Sequence, residues 1–246
     1  QRVISLLLSD LRAPMTKSKS PASLIVRNAV ADDGPGIIAL MERAYPNIPI
    51  STLGQVKGQI AAFPEGQFVI ENESQIVGYA ACFLVDEAVA LSPHTWVTIT
   101  GGGYGARHDP NGDWLYGMEV CVDPDVRGLR LGLRLYQARK QLVESWELRG
   151  IVIGGRMPNF AKRKRLYKTP EAYLEAVQNK KTRDPVIGFQ LRNGFEPVGI
   201  LKDYLPSDTE SLGYAAHMVW RNPYADNRPE KERALSAQAA GQSADF

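Results

Sequence analysis

The chain has few cysteines and histidines, and its apolar runs are short. Two cysteines and three histidines in 246 residues give neither a disulfide framework nor the spacing of a metal site. The apolar runs at 3–8 and 24–26 are far too short to cross a bilayer. We therefore expect no metal and no membrane segment, and the sparse cysteines suit a reducing, cytoplasmic location.

The chain also has little excess of positive over negative charge. The 29 Lys and Arg residues nearly balance the 27 Asp and Glu residues, for a net charge of +2. Binding to nucleic acid is therefore not expected of the chain as a whole. Hydrophobic residues make up 44% and charged residues 23%, which is ordinary for a globular domain.

Residues 118–132 carry the most informative pattern. Met118–Val122 is a β-forming run that Asp123-Pro124 ends, which predicts a short strand. From Leu129 to Glu147, apolar residues recur at three- and four-residue steps, which predicts a helix with one buried face. The intervening loop contains Gly128 and leads to Gly132, and such a helix N-terminus can receive a pyrophosphate. The Gly-x4-Gly-Lys-Ser/Thr loop of nucleoside-triphosphate sites is absent from the sequence.

This strand, loop and helix resemble the coenzyme A site of the GNAT superfamily of N-acetyltransferases. Val120-Cys121-Val122-Asp123-Pro124 matches the family's Val-x-Val-x-Pro strand. Arg127-Gly128-Leu129-Arg130-Leu131-Gly132 matches its Gln/Arg-x-x-Gly-x-Gly/Ala loop, except that Arg130 replaces the usual first glycine. The resemblance implies acetyl-CoA as acyl donor. The backbone of Val120, Cys121 and Val122 would pair with the pantetheine arm, and the N–H groups of residues 127–132 would hold the pyrophosphate.

Two features of this loop have alternative interpretations. Arg130 would be tolerated if its backbone is helical and its side chain points away, and it could add a charge-assisted contact to a phosphate. The alternative is an ordinary strand–helix crossover with a solvated arginine. Gly132 would permit close approach of the phosphate, or would instead serve helix–sheet packing.

The fold class predicted is α/β (α+β). The order β-α-α-β-β-β-α-β-α-β-β over residues 23–222 again resembles the GNAT architecture, a mixed, mostly antiparallel twisted sheet with helices on both faces. Insertions are expected at 86–113, with a strand at Trp96–Thr100, and at 156–185, beginning with an irregular basic segment over 156–170. Residues 1–22 are expected to be an extension outside the core, with Met15 a candidate start, and residues 223–246 a polar tail or linker.

Glu119 is the candidate general base, because a carboxylate in an apolar strand is costly unless it is paired or functional. The alternative is a solvent-facing or salt-bridged side chain. Many GNAT relatives place an acidic tyrosine four residues before a final Gly-Phe, but that position is Gln190 here. Nothing in the sequence chooses a replacement among Tyr167, Tyr173 and Tyr204.

Other residues have structural interpretations at this stage. Cys121 could be a nucleophile, but no histidine is spaced to pair with it, which favours a buried structural cysteine. The three histidines, at 94, 108 and 217, are expected to be structural or exposed. Residues 101–106 match a dinucleotide-binding glycine pattern, but no helix follows, so a loop over the acceptor site is expected. Lys162–Arg165 with Lys168 could bind an acidic acceptor, the 3′-phosphate of coenzyme A or RNA, or form a solvated loop.

The function implied by the resemblance is direct acetyl transfer to a small-molecule or peptide amine. The alternative is a catalytically weak acyl-CoA-binding regulatory module that works with a hydrolase partner. Residues 149–156 and 189–195 also resemble GNAT modules fused to nitrilase-type carbon–nitrogen hydrolases. Exposed closing strands would allow a homodimer.

Overall fold

A computed structural model describes residues 24–126 and 128–225. Within these ranges, strands of one sheet occupy seven segments: β1 Leu24–Asn28, β2 Gln67–Asn72, β3 Gln75–Val85, β4 Trp114–Val122, β5 Gly150–Arg156, β6 Glu196–Leu201 and β7 Ala215–Arg221. The α-helices are α1 Gly34–Ala44, α2 Leu53–Ala62, α3 Glu87–Leu91, α4 Trp96–Thr100, α5 Leu131–Ser145, α6 Phe160–Tyr167, α7 Pro170–Gln178 and α8 Pro185–Arg192. Arg127 and the two ends of the chain, where the extension and tail were predicted, lie outside the described residues.

The sheet has the order β1-β2-β3-β4-β5-β7-β6. β4 and β5 run parallel, whereas the other neighbouring strands are antiparallel. The mixed, mostly antiparallel sheet predicted from the sequence is therefore confirmed. Alternation along β3 separates its two faces: Tyr79 bonds to Gln59 of α2, whereas Cys82 contacts Arg139 of α5.

The long helix after β4 buries the face that its periodicity predicts. Leu131, Leu135, Leu142 and Val143 of α5 are buried. The helix begins at Leu131 and not at Leu129, because Arg130 has the left-handed backbone angles φ 53 and ψ 38. That conformation cannot continue a right-handed helix.

The segment Trp96–Thr100 is a helix, so the predicted strand is wrong. Thr95 caps the helix by accepting from the Thr98 N–H, and the Thr98 hydroxyl oxygen accepts in return from the Thr95 N–H. Gly101 ends it in a left-handed conformation. These cap residues outweigh the strand propensity of a five-residue run.

The segment 156–170 is also more regular than predicted, because Phe160–Tyr167 forms α6. Lysine and arginine are good helix formers. Phe160 is fully buried against the rings of Tyr173 and Tyr214, which anchors the helix. The basic residues 162, 164, 165 and 168 are exposed.

Candidate active site

The two parallel strands at the centre of the sheet separate toward their carboxyl ends. Their pairing runs from Trp114 opposite Gly150 to Gly117 opposite Ile153. Beyond these pairs, β4 continues to Val122 and β5 to Arg156. The facing edges of the two strands therefore open a gap in the sheet, which an extended ligand could enter as an added strand.

A β-bulge in β4 lies at the start of this gap. Ala81 of β3 pairs with Glu119 and Cys82 pairs with Gly117, so Met118 is an extra residue. The Met118 carbonyl accepts from Trp96 Nε1 at 3.2 Å. A bulge bends its strand and increases the local twist, which helps to turn β4 away from β5.

Arg139 supports the bulge from the face of the sheet on which α5 packs. Its side chain is buried, its Nη2 donates to the carbonyl oxygens of Ala81 and Glu119, and its Nε lies 3.0 Å from Cys82 Sγ. A guanidinium has five N–H donors in a fixed plane, so it can hold several carbonyl groups at once. No sequence pattern indicates this role.

The loop after β4 is fixed where it begins. Asp123 is buried and accepts from Arg43 Nη2 at 2.7 Å, while its other carboxylate oxygen accepts from the Asp125 N–H at 3.0 Å. The Asp123 N–H donates to the Val77 carbonyl. These contacts tie the loop to α1 and β3, and so they set the direction from which the chain enters α5.

The predicted phosphate loop lies at the exposed N-terminus of α5. Gly128, Leu129 and Arg130 are exposed, and Gly128 and Arg130 both have positive φ. Arg130 has left-handed backbone angles, so the expected helical backbone at this residue is wrong. The first N–H groups of α5 have no partner within the helix and can donate to an anion.

A cleft of about 310 Å³ adjoins this loop. Its lining residues come from the start of α5 and the end of α8: Arg130, Gly132, Leu133, Phe189, Arg192 and Asn193. A Cβ on Gly132 would lie 3.3 Å from Phe189 Cζ, so a side chain here would crowd the contact between α5 and α8. Arg192, which the sequence did not nominate, adds a second cation beside Arg130.

Glu119 lies on the opposite face of the sheet from α5. Tyr45 Oη, just after α1, lies 2.6 Å from Glu119 Oε1 and 2.8 Å from the Val120 carbonyl oxygen. The Val120 N–H also donates to Oε1. Burial raises the pKa of Glu119, and the bonds from Tyr45 and Val120 oppose that rise. Glu119 is therefore a hydrogen-bonded carboxyl group with a perturbed pKa, at the mouth of the gap.

Tyr204 also lies beside the gap, in the segment between β6 and β7. Its Oη is 3.0 Å from Tyr116 Oη, and Tyr116 Oη is 2.7 Å from His94 Nε2. A Cβ on Gly154 would lie 2.6 Å from the Tyr204 hydroxyl oxygen, so the ring occupies the space of a missing side chain on β5. The charge of Glu119 helps to raise the Tyr204 pKa, although burial is the larger cause.

The structure separates the three tyrosines that the sequence left as alternatives. Tyr173 donates to Asp184 Oδ2 at 2.7 Å, and the ring of Tyr167, the last residue of α6, packs on that of Tyr173. Gln190 is buried on the α8 side, and its Oε1 has no hydrogen-bond partner. Tyr204 is thus the member of the set beside the gap.

The remaining predicted site residues, Val120, Cys121 and Val122, lie on β4. Cys121 is buried and points toward the same face as Tyr79, with which it pairs. Burial raises the pKa of its thiol well above the usual value, which disfavours the thiolate that a nucleophile needs. Val120 and Val122 are partly exposed on β4 beyond its pairing with β5.

Residues 37–169 match the family described as "Acetyltransferase (GNAT) family". The chain belongs to this family. Membership supports the expected acyl donor, acetyl-CoA. In the described part of the chain, no helix is both long and apolar enough to cross a membrane.

Two Bacillus subtilis (strain 168) proteins are similar to the chain. The probable hydrolase YhcX is 39% identical over 199 residues, which are 81% of this chain and 39% of that protein. The uncharacterized N-acetyltransferase YkwB is 31% identical over 206 residues, which are 82% of this chain and 90% of that protein. The chain thus spans well under half the length of the first relative and nearly all of the second.

Solved structures share the fold. The loading GNATL domain of CurA from Lyngbya majuscula has a TM-score of 0.72 at 20% identity, covering 82% of this chain and 99% of that one. The GphF GNAT-like decarboxylase in complex with isobutyryl-CoA has a TM-score of 0.67 at 24% identity, covering 80% and 99%. At these identities the likeness shows the fold alone.

Proposed function

We propose that the chain is an acetyl-CoA-dependent N-acetyltransferase that passes an acetyl group directly to an amine. The observation that carries the proposal is the gap between β4 and β5, with a phosphate-loop sequence at one end and Glu119 at its mouth. The proposal is supported by membership of the acetyltransferase family and by the 31% identity to YkwB, which is described as an N-acetyltransferase.

The donor half of the site is proposed to hold acetyl-CoA through the backbone. Main-chain groups of Val120, Cys121 and Val122 would pair with the pantetheine arm. The N–H groups of residues 128–132 would hold the pyrophosphate at the start of α5, and Arg127 is proposed to join them from the sequence pattern. Arg130 and Arg192, on the cleft beside α5, would add positive charge for the phosphates.

The acceptor half is proposed to lie on the face of Glu119, Tyr45 and Tyr204. An amine reaches the site as an ammonium ion and must lose one proton before it attacks the thioester. Glu119 would accept that proton, and its raised pKa makes it a stronger base than an exposed carboxylate. The neutral amine then attacks the carbonyl carbon, and the thiolate of coenzyme A leaves.

Calorimetric titration of acetyl-CoA into the 246-residue chain tests the donor site, with two variants of one residue. Arg130→Gly keeps the positive φ and should bind acetyl-CoA within a few-fold of the wild-type chain, because backbone groups carry the contact. Arg130→Glu places a negative charge on the same cleft and should weaken binding by roughly tenfold or more. Equal affinity in all three proteins would remove this loop from the donor site.

Transfer is tested separately with labelled acetyl-CoA and a panel of polyamines, amino acids and peptides with free N-termini. A labelled amide product supports the transferase. A second candidate, an acyl-CoA-binding module acting with a hydrolase, is favoured by the 39% identity to a probable hydrolase. Tight binding of acetyl-CoA without label in any amine, together with co-purification with a carbon–nitrogen hydrolase, would support that candidate instead.

A homodimer is proposed through β6, which is an edge strand of the sheet. Val198 on this strand is 51% exposed. Light scattering of the purified chain distinguishes a dimer from a monomer.

A further inference from the structure

Three side chains of the acceptor face form a continuous line of hydrogen bonds. Tyr204 Oη lies 3.0 Å from Tyr116 Oη, and Tyr116 Oη lies 2.7 Å from His94 Nε2. His94 Nδ1 lies 2.8 Å from the Ser92 carbonyl oxygen. Tyr116 and Tyr204 are buried, His94 is half-buried, and Ser92 is exposed, so the line runs from the gap to the surface.

The direction of each hydrogen bond follows from which atoms carry hydrogen. A carbonyl oxygen can only accept, so His94 Nδ1 carries a hydrogen. Burial lowers the pKa of His94 to about 4, so the ring is neutral at pH 7 and Nε2 has a lone pair. Tyr116 must then donate its single hydrogen to Nε2, and Tyr204 must donate its own to the Tyr116 oxygen.

This arrangement leaves the Tyr204 oxygen as an acceptor beside the gap. Tyr204 is positioned by Gly154, whose missing side chain makes room for the ring. Gly154 is the first residue of β5 after the last pair with β4. The Trp96 N–H donates to the Tyr204 carbonyl at 2.8 Å, which fixes the backbone of the loop.

We propose that Tyr204 is a second proton acceptor of the acetyl transfer, and that Tyr116 and His94 carry the proton away from the site. The inference rests on the proposed transferase function. Glu119 takes the proton that turns the ammonium into an amine, and Tyr204 takes the one that the nitrogen loses during attack. Tyr116 and His94 act through Tyr204 and are positioning residues.

The step balances without an added reagent. The amine nitrogen bonds to the thioester carbon, the carbon–sulfur bond breaks, and the nitrogen proton moves to Tyr204 Oη. The Tyr204 hydrogen moves to Tyr116 Oη and the Tyr116 hydrogen to His94 Nε2. The products are an amide, the thiolate of coenzyme A and a transient imidazolium. Because the pKa of His94 is about 4, the ring passes its proton on to solvent, and solvent protonates the thiolate.

Nitrogen-15 NMR of the histidine rings tests the direction of the line without any amine. The wild-type chain should show His94 as the tautomer with hydrogen on Nδ1, assigned by loss of its signals in His94→Gln. In Tyr116→Phe the Nε2 shift should move, because its donor is gone. A His94 ring with hydrogen on Nε2 would overturn the proposal, whatever the activity of the protein.

Kinetics test the role of Tyr204 with the best amine from the acceptor panel. Tyr204→Phe should lower kcat by about 10²-fold, the usual size of a proton-transfer contribution, with the Kd for acetyl-CoA unchanged. Tyr116→Phe should lower kcat by roughly tenfold and reduce the solvent deuterium isotope effect, a readout that lost packing alone would not move. Tyr224→Phe, at an exposed tyrosine, is the matched control and should behave as wild type.

The outcomes separate the two proposals. Wild-type kcat in Tyr204→Phe, with acetyl-CoA binding and amine acetylation intact, overturns the relay and leaves the transferase standing. Failure of the wild-type chain to bind acetyl-CoA overturns the transferase and, with it, the relay. Circular dichroism of each variant confirms that any loss of rate occurs in a folded protein.

Discussion

At Glu119 a carboxyl group lies within an apolar strand, held by one phenol and one backbone N–H. Desolvation raises its pKa, while these donors favour the ionised form. As a base it works only when ionised, so activity should fall as the pH drops through its raised pKa. The acid limb of kcat/KM should therefore lie above the usual glutamate range.

Glu119→Gln should lower kcat by about 10²-fold or more, because the amide cannot take a proton. The Kd for acetyl-CoA should stay within a few-fold, since the proposed donor site uses the β4 backbone and the α5 loop. Steady-state rates and calorimetry on the same samples measure both. Unchanged turnover would remove Glu119 from the mechanism.

Tyr45→Phe is the companion to this experiment. It removes the hydrogen bond that lowers the Glu119 pKa, so the acid limb should move to higher pH while the rate at the plateau changes less. An acid limb that stays in place would mean that another group sets the pH profile.

At the scale of an element, β5 contains two consecutive glycines that face opposite sides of the sheet. A side chain on Gly154 would meet the Tyr204 ring, and one on Gly155 would meet Gln190 Oε1. The strand thus brings the acceptor face and α8 close together with no side chain between them. Larger residues would force one layer or the other to move.

Gly154→Ala and Gly155→Ala should therefore fail in different ways. Gly154→Ala should displace Tyr204 and lower kcat more than acetyl-CoA affinity. Gly155→Ala should displace the Gln190 side chain, disturb the packing of α8 and weaken acetyl-CoA binding, because Arg192 and Phe189 on that helix line the proposed donor cleft. Each should also destabilise the fold by about 1–3 kcal/mol, measurable by urea unfolding. The same loss of affinity in both would contradict the division into faces.

The elements themselves were largely predictable where periodicity or turn residues are strong. The strand before Asp123-Pro124 and the long helix after Gly128 were expected, and both are present. The prediction failed at Trp96–Thr100, where strand-forming residues are held in a helix by Thr95 and Gly101. Over five residues, caps outweigh propensity.

Of the proposed site, only the donor half can be read from the sequence alone, because the loop at 127–132 is a local pattern. The proposed acceptor face joins Tyr45, Tyr116, Glu119 and Tyr204, which are far apart in sequence and meet only through the order of the strands. Such contacts leave no spacing rule, which is why Tyr204 could not be chosen from three tyrosines.

At the scale of the whole molecule, the histidines make stability depend on pH. Burial lowers the pKa of all three histidines in the sequence, at 94, 108 and 217. The unfolded chain then binds more protons than the folded one once the pH falls below the ordinary histidine value of 6.5. The stability that the neutral rings allow is present above that pH and is lost as the pH falls toward their lower folded values.

The free energy of unfolding should therefore decrease between pH 7.5 and pH 5, with the raised pKa of Glu119 opposing part of this change. Urea unfolding at the two pH values measures this change. His94→Gln should show a smaller change, because the group with a folded pKa of about 4 is gone. Equal stability of the wild-type chain at both pH values would contradict the expected linkage.

The bulge of β4 has an optical consequence. Of the four tryptophans, Trp96 is the one whose indole N–H bonds to the carbonyl of the bulged residue, Met118, at the entrance of the gap. Indole emission depends on the polarity and rigidity of its surroundings, so a ligand that enters the gap and shifts the bulge would change the fluorescence of Trp96. The intrinsic fluorescence of Trp96 can thus report ligand binding in the gap without any added label.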